Sequence, residues 1–208
     1  MLLVSISLLA AGCGGDGTPS AAQPSQRRTT TPEHASGTAS LPAPPSKPLV
    51  AEVQQAAVGD IPDKQVFLTF RNRAEGYSIE YPEGWAQRGS TRRVTFQDKN
   101  NLVRIEIVNG SKATIAGAAD EMVRLRQRTP SLRFEPPVLT TAYGKPVIRL
   151  VYTTKSTTNP VTGKRVELVV DRYYVAGPGK HAIVDLGTPR GVDNVDAYRL
   201  MIGSFRWR

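Results

Sequence analysis

The chain contains the stretch Gly76-Tyr77-Ser78-Ile79-Glu80-Tyr81-Pro82-Glu83-Gly84-Trp85. Its large side chains alternate with smaller or polar ones, and a period of two is typical of a strand with one buried face. Proline presets a backbone angle suited to the turn that follows, and glycine allows conformations closed to other residues. We therefore expect a strand over 77–81, then a turn, and an indole that covers the edge of the core. A structural role is predicted for the motif residues Gly76, Tyr77, Tyr81, Pro82, Gly84 and Trp85.

Apolar alternation and helical spacing extend from this stretch through the rest of the chain. Strands are predicted over 66–70, 77–81, around Val94 and Phe96, and over 102–108, 145–154, 164–175 and 181–186. The last three are joined by turn residues and form an antiparallel meander. One helix is predicted over 114–128, with Ile115, Ala118, Ala119, Met122 and Leu125 on its apolar stripe. A second begins after Asp193 or Asn194 and has Val195, Tyr198, Ile202 and Phe205 along one side. The pattern indicates an α+β fold, with helices packed on a mainly antiparallel sheet.

The stretch 76–85 resembles the opening motif of PsbP-like domains, in which Gly-aromatic-x-Ile/Phe-x-Tyr-Pro-x-Gly-Trp forms a strand and its turn. The C-terminal helix followed by Ser204-Phe205-Arg206-Trp207 is similar to the end of the same family. Order and length agree over about 66–207, and the resemblance extends to LpqN-like bacterial lipoproteins. It implies an αβα sandwich and an accessory or binding role without a shared enzymatic activity.

The first residues form a short apolar run that leads to the single cysteine, Cys13. About eight apolar residues are too few to span a bilayer as a helix, and a short run followed by small residues is typical of a signal segment. The pattern resembles a bacterial lipoprotein signal, although Ala10 stands where that signal usually has leucine. We expect Cys13 to be acylated and to hold the protein at the outer, extracytoplasmic face of the cell membrane. An ordinary cleaved signal, or a buried apolar segment with an incidental cysteine, are the alternatives.

The composition then divides the chain into three parts. A signal segment over 1–12 precedes an Ala/Ser/Thr/Pro-rich tether over 13–62, which has too few large apolar residues to fold and spans on the order of 40 Å as a coil. The folded, PsbP-like domain is predicted over 63–208. Without a second cysteine it depends on its apolar core and not on disulfides.

The predicted domain lacks the residue patterns of catalytic and metal sites. Its histidine, His181, shares a strand face with Asp185, but four residues of strand separate them by about 13 Å, so they form no dyad. The metal-ligand spacings of zinc and calcium sites are absent, as is the phosphate-binding loop pattern. We expect neither an enzyme nor a bound cofactor or metal.

The chain carries a net charge of +9. Such a field favours anionic partners, which outside the membrane are lipid headgroups, wall polymers or acidic proteins rather than nucleic acid. A possible anion-binding surface is predicted from Arg88, Arg92, Arg93, Arg124 and Arg128. The alternative is that these residues only keep the surface soluble.

The sequence thus predicts a lipid-anchored extracytoplasmic lipoprotein that acts as a non-catalytic accessory or interaction module. Its predicted partners are the membrane, through the N-terminal lipid, and an unidentified envelope or membrane protein. The alternative function is binding of a small ligand or an anionic envelope polymer through the basic surface.

The predicted anchor is tested by Cys13→Ser in the full chain. Because serine cannot carry the thioether-linked lipid, we expect the variant to lose incorporation of labelled fatty acid and to move from the membrane fraction to the soluble fraction. Unchanged labelling and membrane retention of the variant would contradict the lipoprotein interpretation.

Overall fold

The computed structural model describes residues 59–110, 112–158 and 163–208. The predicted signal segment and the tether up to residue 58 lie outside the described residues. The elements of the described part, in chain order, are β1 (Phe67–Asn72), β2 (Tyr77–Pro82), β3 (Ala86–Gly89), β4 (Arg93–Asp98), β5 (Asn101–Asn109), α1 (Ile115–Arg128), β6 (Arg133–Phe134), β7 (Val138–Ala142), β8 (Lys145–Lys155), β9 (Glu167–Gly177), β10 (Lys180–Pro189), α2 (Val195–Ser204) and β11 (Arg206–Trp207). Among these residues no helix is both long and apolar enough to cross a bilayer.

The described strands form a large and a small sheet, both antiparallel. The large sheet has the order β3-β4-β5-β10-β9-β8-β6, and β7 also pairs with β8. Its centre is the predicted meander, in which β10 pairs with β9 and β9 with β8. The small sheet has the order β1-β2-β11. The predicted α+β class, with helices on a mainly antiparallel sheet, is confirmed.

One face of the large sheet, the first face, packs against the small sheet and α2. Its core includes Ile105 and Val184 from the large sheet and Met201 and Ile202 from α2. Tyr77 of β2 is fully buried here, and its ring stacks on that of Phe205, with centroids 5.5 Å apart. Strand β2, which opens the 76–85 stretch, therefore lies between β1 and β11 and binds the C-terminal strand into the core.

The remaining motif residues pack against the core or form the turn after β2. Tyr81 stacks on the ring of Phe96 at 4.1 Å between centroids, and Trp85 is buried at the edge of the same core. Gly84 has a φ of 87°, a left-handed conformation that costs glycine little and other residues more. These residues hold the turn after β2 against the core.

The opposite, second face of the large sheet is covered by α1. Ala118 and Met122 of the helix are buried against Leu150, Val170 and other residues of β8, β9 and β10. The helix begins as predicted, because the Thr114 side chain accepts a hydrogen bond from the Gly117 backbone amide at 3.0 Å. The sheet is thus sandwiched between α1 on one face and α2 with the small sheet on the other.

Several local predictions need correction. The side chains of Ile115 and Val195 are 47% and 51% exposed, because each stands in the first turn of its helix, beyond the edge of the covered sheet. Strands β3, β6, β7 and β11 were not predicted. They are short or lack large inward-facing side chains, and all four residues of β3 are exposed.

The last residues assigned to the tether belong to the folded part. The Gly59 carbonyl accepts hydrogen bonds from Asn101 Nδ2 at 2.5 Å and Asn194 Nδ2 at 3.1 Å. The backbone amide of Ile61 donates to Asn194 Oδ1 at 2.8 Å. The domain therefore includes 59–62, which the sequence placed before its boundary.

Gly177, at the end of β9, provides a test of the packing against β11. A Cβ at this position would lie 2.5 Å from Trp207 Cε2, whereas a Cβ on Gly203 of α2 would meet nothing within 4 Å. We expect Gly177→Ala to lower the free energy of unfolding by about 1–3 kcal/mol through overpacking. Gly203→Ala should raise it by up to about 1 kcal/mol because alanine favours the helix.

Urea unfolding of the two variants measures both effects. Equal stabilities of Gly177→Ala and the unmodified protein would contradict the described contact between β9 and β11.

Candidate functional site

An open cleft of about 690 Å³ lies between α2, the β7–β8 hairpin and the first face of the large sheet. We call it the α2 cleft. Its volume falls within the range typical of ligand-binding sites. The side chains that matter most for its chemistry are Tyr143, Arg149, Asp171, Tyr173, Val195 and Arg199.

The floor of the α2 cleft carries an ion pair and aromatic rings. Arg149 of β8 pairs with Asp171 of β9, and both side chains remain partly exposed to the cleft. Partial burial raises the pKa of the Tyr173 phenol, and the Asp171 charge adds to this effect, so the phenol is neutral at physiological pH. At the rim, the Arg206 guanidinium lies 5.3 Å from the centroid of the Tyr143 ring. The cleft can thus contact both polar and apolar parts of a ligand.

The described residues that line the α2 cleft include no histidine, cysteine, serine or lysine. Its one carboxylate, Asp171, is already paired with Arg149. Covalent and general-base catalysis need a nucleophile within hydrogen-bond reach of a base. The lining offers binding groups, and none of its described threonine or tyrosine hydroxyls is hydrogen-bonded to Asp171.

The wall of the cleft is held in place by Asn194, directly before α2. Its Nδ2 donates to Thr188 Oγ1 at 2.8 Å and to Asn101 Oδ1 at 3.1 Å, in addition to the contacts with 59–62. Because this side chain faces the sheet, it does not cap α2, and Asp193 Oδ1 accepts instead from the Val195 amide at 3.2 Å. The start of α2 is therefore tied to β5, to β10 and to the first described residues.

A second cluster of charges lies on the second face, under α1. The buried Asp185 carboxylate accepts hydrogen bonds from Arg172 Nε at 2.6 Å and Nη2 at 2.9 Å. It also accepts from Arg104 Nη2 at 2.5 Å and from the Tyr152 hydroxyl at 3.2 Å. Four neighbouring strands, β5, β10, β9 and β8, therefore meet at one carboxylate.

Arg172 extends this cluster to the helix. Its Nη1 donates to Glu121 Oε1 at 2.7 Å, and the Tyr174 hydroxyl donates to Glu121 Oε2 at 3.1 Å. Burial by itself would raise the pKa of the Asp185 carboxyl, but Arg172 and Arg104 outweigh it and hold that pKa below its ordinary value. Asp185 stays charged, and both of its carboxylate oxygens accept hydrogen bonds from neighbouring side chains. This arrangement suits a structural role.

The sequence placed His181 and Asp185 on one strand face, and the structure agrees. The two side chains do not contact each other. Asp185 binds the arginine cluster, and His181 lines a smaller cleft beside Glu121 and Tyr174. The role of Asp185 was not predicted, since Arg104 is 81 residues away along the chain. The described residues include no group of three or more potential ligands placed to hold a metal ion.

The five arginines of the predicted basic surface lie in three settings. Arg92 pairs with Glu75 at 3.4 Å, and Arg93 with Glu106 at 2.6 Å. Arg88 lines a groove beside β3. The remaining two, Arg124 and Arg128, are exposed on α1.

Comparison with known proteins identifies the fold. No protein-family model and no curated protein matches the sequence. The solution structure of cyanobacterial PsbP from Synechocystis is similar, with a TM-score of 0.54 and 16% identity over 73% of this chain and 99% of that one. The Ran-binding protein Mog1p of Saccharomyces cerevisiae gives a TM-score of 0.47 and 6% identity over 69% of this chain and 96% of its own. The first comparison shows that the described domain has a PsbP-like fold, as the 76–85 stretch predicted.

The arginine cluster generates a stability prediction. Asp185→Asn removes the charge that pairs with the buried Arg172 and with the partly exposed Arg104, and leaves Arg172 only Glu121 as a counter-charge. We therefore expect it to lower the free energy of unfolding by about 3 kcal/mol. As a control, Asp196→Asn removes an ion pair with Arg199 whose side chains are 96% and 76% exposed, and it should change little.

Because the pKa of Asp185 is lower in the folded state, its stabilising contribution is complete above the unfolded pKa of about 3.9 and declines as the pH falls below that value. Urea unfolding of the three proteins between neutral and acid pH measures both effects. If Asp185→Asn lowers the free energy of unfolding no more than Asp196→Asn does, the structural role of the cluster is contradicted.

Proposed function

We propose that this protein, whose described domain has the PsbP-like fold, is a membrane-anchored extracytoplasmic lipoprotein and a non-catalytic interaction module. In this proposal the α2 cleft receives part of an envelope or membrane protein. The tether gives the domain reach from the bilayer, and the lipid on Cys13 keeps it at that surface.

The composition of the α2 cleft is the observation that carries the proposal. An ion pair, three tyrosine rings and exposed aliphatic groups such as Val195 border one open space. Protein interfaces favour such a mixture, because aromatic and arginine side chains supply contact area and a polar rim supplies orientation. The openness of the cleft suits a peptide segment or a protein loop.

The distribution of charged groups supports a non-catalytic role. The buried carboxylate with several donors, Asp185, is committed to holding strands and a helix together. The acid in the cleft, Asp171, is neutralised by its neighbouring arginine. The described hydrogen bonds of both carboxylates come from arginine and tyrosine side chains that hold the sheet together, and this favours binding over turnover.

The position of the chain's first part supports a membrane-proximal role. Cys13 lies 46 residues before Gly59, where the described fold starts, and the sequence between them is rich in proline, serine and threonine. In the proposal this segment is a tether that lets the domain search a volume close to the membrane and raises its effective concentration near membrane proteins.

The proposal is tested by affinity capture after crosslinking in cells, with the tagged full-length protein. Val195→Glu places a charge at the cleft without filling the core, since Val195 is half exposed and an acidic residue suits the start of a helix. We expect it to reduce capture of the specific partner by about tenfold. The matched control Val123→Glu changes an exposed position on α1, and it should retain the partner.

Cys13→Ser separates the two parts of the proposal. If the anchor is required, the Cys13→Ser variant no longer captures the partner, although its cleft is unchanged. Equal capture by Val195→Glu and Val123→Glu would exclude the α2 cleft as the docking site, and reproducible turnover by the purified protein would overturn the non-catalytic assignment.

A further inference from the structure

A separate groove of about 450 Å³ lies between the end of β1 and the β3–β4 turn. Arg71 and Arg73 border it on one side, and Arg88 borders it on the other. Ser90 and Thr91 complete the rim at the turn. Phe70 and Val94 form an apolar floor. We call it the arginine groove.

The three arginines of this groove lack the carboxylate partners that neighbouring arginines have in the described part of the protein. Arg92 and Arg93, next to the same turn, each bind a carboxylate. Within the described residues Arg71, Arg73 and Arg88 form no ion pair, and no acidic residue lines the groove. The α2 cleft, by contrast, contains Asp171. The arginine groove therefore presents positive charge that the described part of the protein does not neutralise.

The two walls of the groove are held together by a buried side chain. Asn72 is 7% exposed, and its Nδ2 donates to the Thr91 carbonyl at 2.6 Å, while its Oδ1 accepts from the Glu75 amide at 3.0 Å. These bonds join the β1–β2 turn to the β3–β4 turn. Arginines on a fixed scaffold lose less conformational freedom when they bind a ligand.

The β3–β4 turn is itself closely constrained. The Ser90 amide donates to the Arg93 carbonyl at 2.8 Å. Gly89 has a φ of 114°, and a Cβ there would lie 2.0 Å from the same Arg93 oxygen, so only glycine fits. The position of Ser90 and Thr91 beside Arg88 is thus set by the backbone.

We propose that the arginine groove is a binding site for a phosphate-bearing anion. Guanidinium groups match phosphate oxygens with paired hydrogen bonds, and the hydroxyls of Ser90 and Thr91 can donate further ones. The floor formed by Phe70 and Val94 suits an apolar group attached to the phosphate. The site is distinct from the α2 cleft and does not depend on the function proposed for that cleft.

The test uses the full chain with two matched sets of substitutions, each of which removes three positive charges. The groove variant is Arg71→Gln/Arg73→Gln/Arg88→Gln, and the control variant is Arg124→Gln/Arg128→Gln/Lys145→Gln. All six side chains are exposed, so both proteins should fold, which circular dichroism checks. Calorimetry measures binding of pyrophosphate, and flotation measures binding to vesicles of equimolar phosphatidylglycerol and phosphatidylcholine, relative to phosphatidylcholine alone.

We expect the groove variant to bind at least one of the two probes about tenfold more weakly, and the control variant to change by less than about twofold. Loss of pyrophosphate binding alone identifies a soluble phosphate compound, and loss of the phosphatidylglycerol-dependent binding identifies a lipid headgroup. An equal loss in both variants would show a general charge effect and overturn the site. So would an unmodified protein that binds neither probe saturably.

NMR shifts provide an independent check on location. In the unmodified protein, pyrophosphate should shift the backbone amides of Ser90 and Thr91 first. Shifts confined to α1 would contradict the proposed groove.

Discussion

The Asp185 carboxylate, buried between Arg104 and Arg172, is the constraint on which the second face of the large sheet depends. Removing charges from water costs several kcal/mol for each ion, and the cost is offset only when every donor is correctly placed. The cluster therefore specifies the register of β5, β10 and β9, and through Glu121 it fixes α1 over them. The helix covers most of this face, and the space beside it is the smaller cleft that His181 lines.

The opposite face has a different character. There a core of aromatic and aliphatic side chains packs the small sheet and α2 against the large sheet. Helix α2 and the β7–β8 hairpin do not pack closely against each other. The α2 cleft is the space between these two elements. The contacts of Asn194 fix one wall of the cleft, so the space is built into the fold. Both binding surfaces that we propose thus lie where elements meet at an edge of the sheet.

The sequence predicts the parts of this architecture that local patterns determine. Alternation of Val103, Ile105 and Ile107 reveals β5, and Thr114 marks the start of α1, because both signals lie within a few residues. The edge strand β3 has no such pattern, since its residues face solvent on both sides. The arginine cluster and the α2 cleft depend on contacts between distant residues, and no local spacing contains them. The pattern at 76–85 did identify the family of folds, because its turn and its aromatic residues are needed to close the core around Phe205.

We propose the α2 cleft, and not the α1 side, as the docking surface. The most direct measurement places a photo-crosslinking amino acid at position 199, which lines the cleft, or at position 124 on α1, in the full-length protein in its own membrane. If the α2 cleft is the docking surface, we expect a single specific adduct with an envelope protein from position 199 and none from position 124. Adducts of equal yield from both positions, or from position 124 alone, would contradict it.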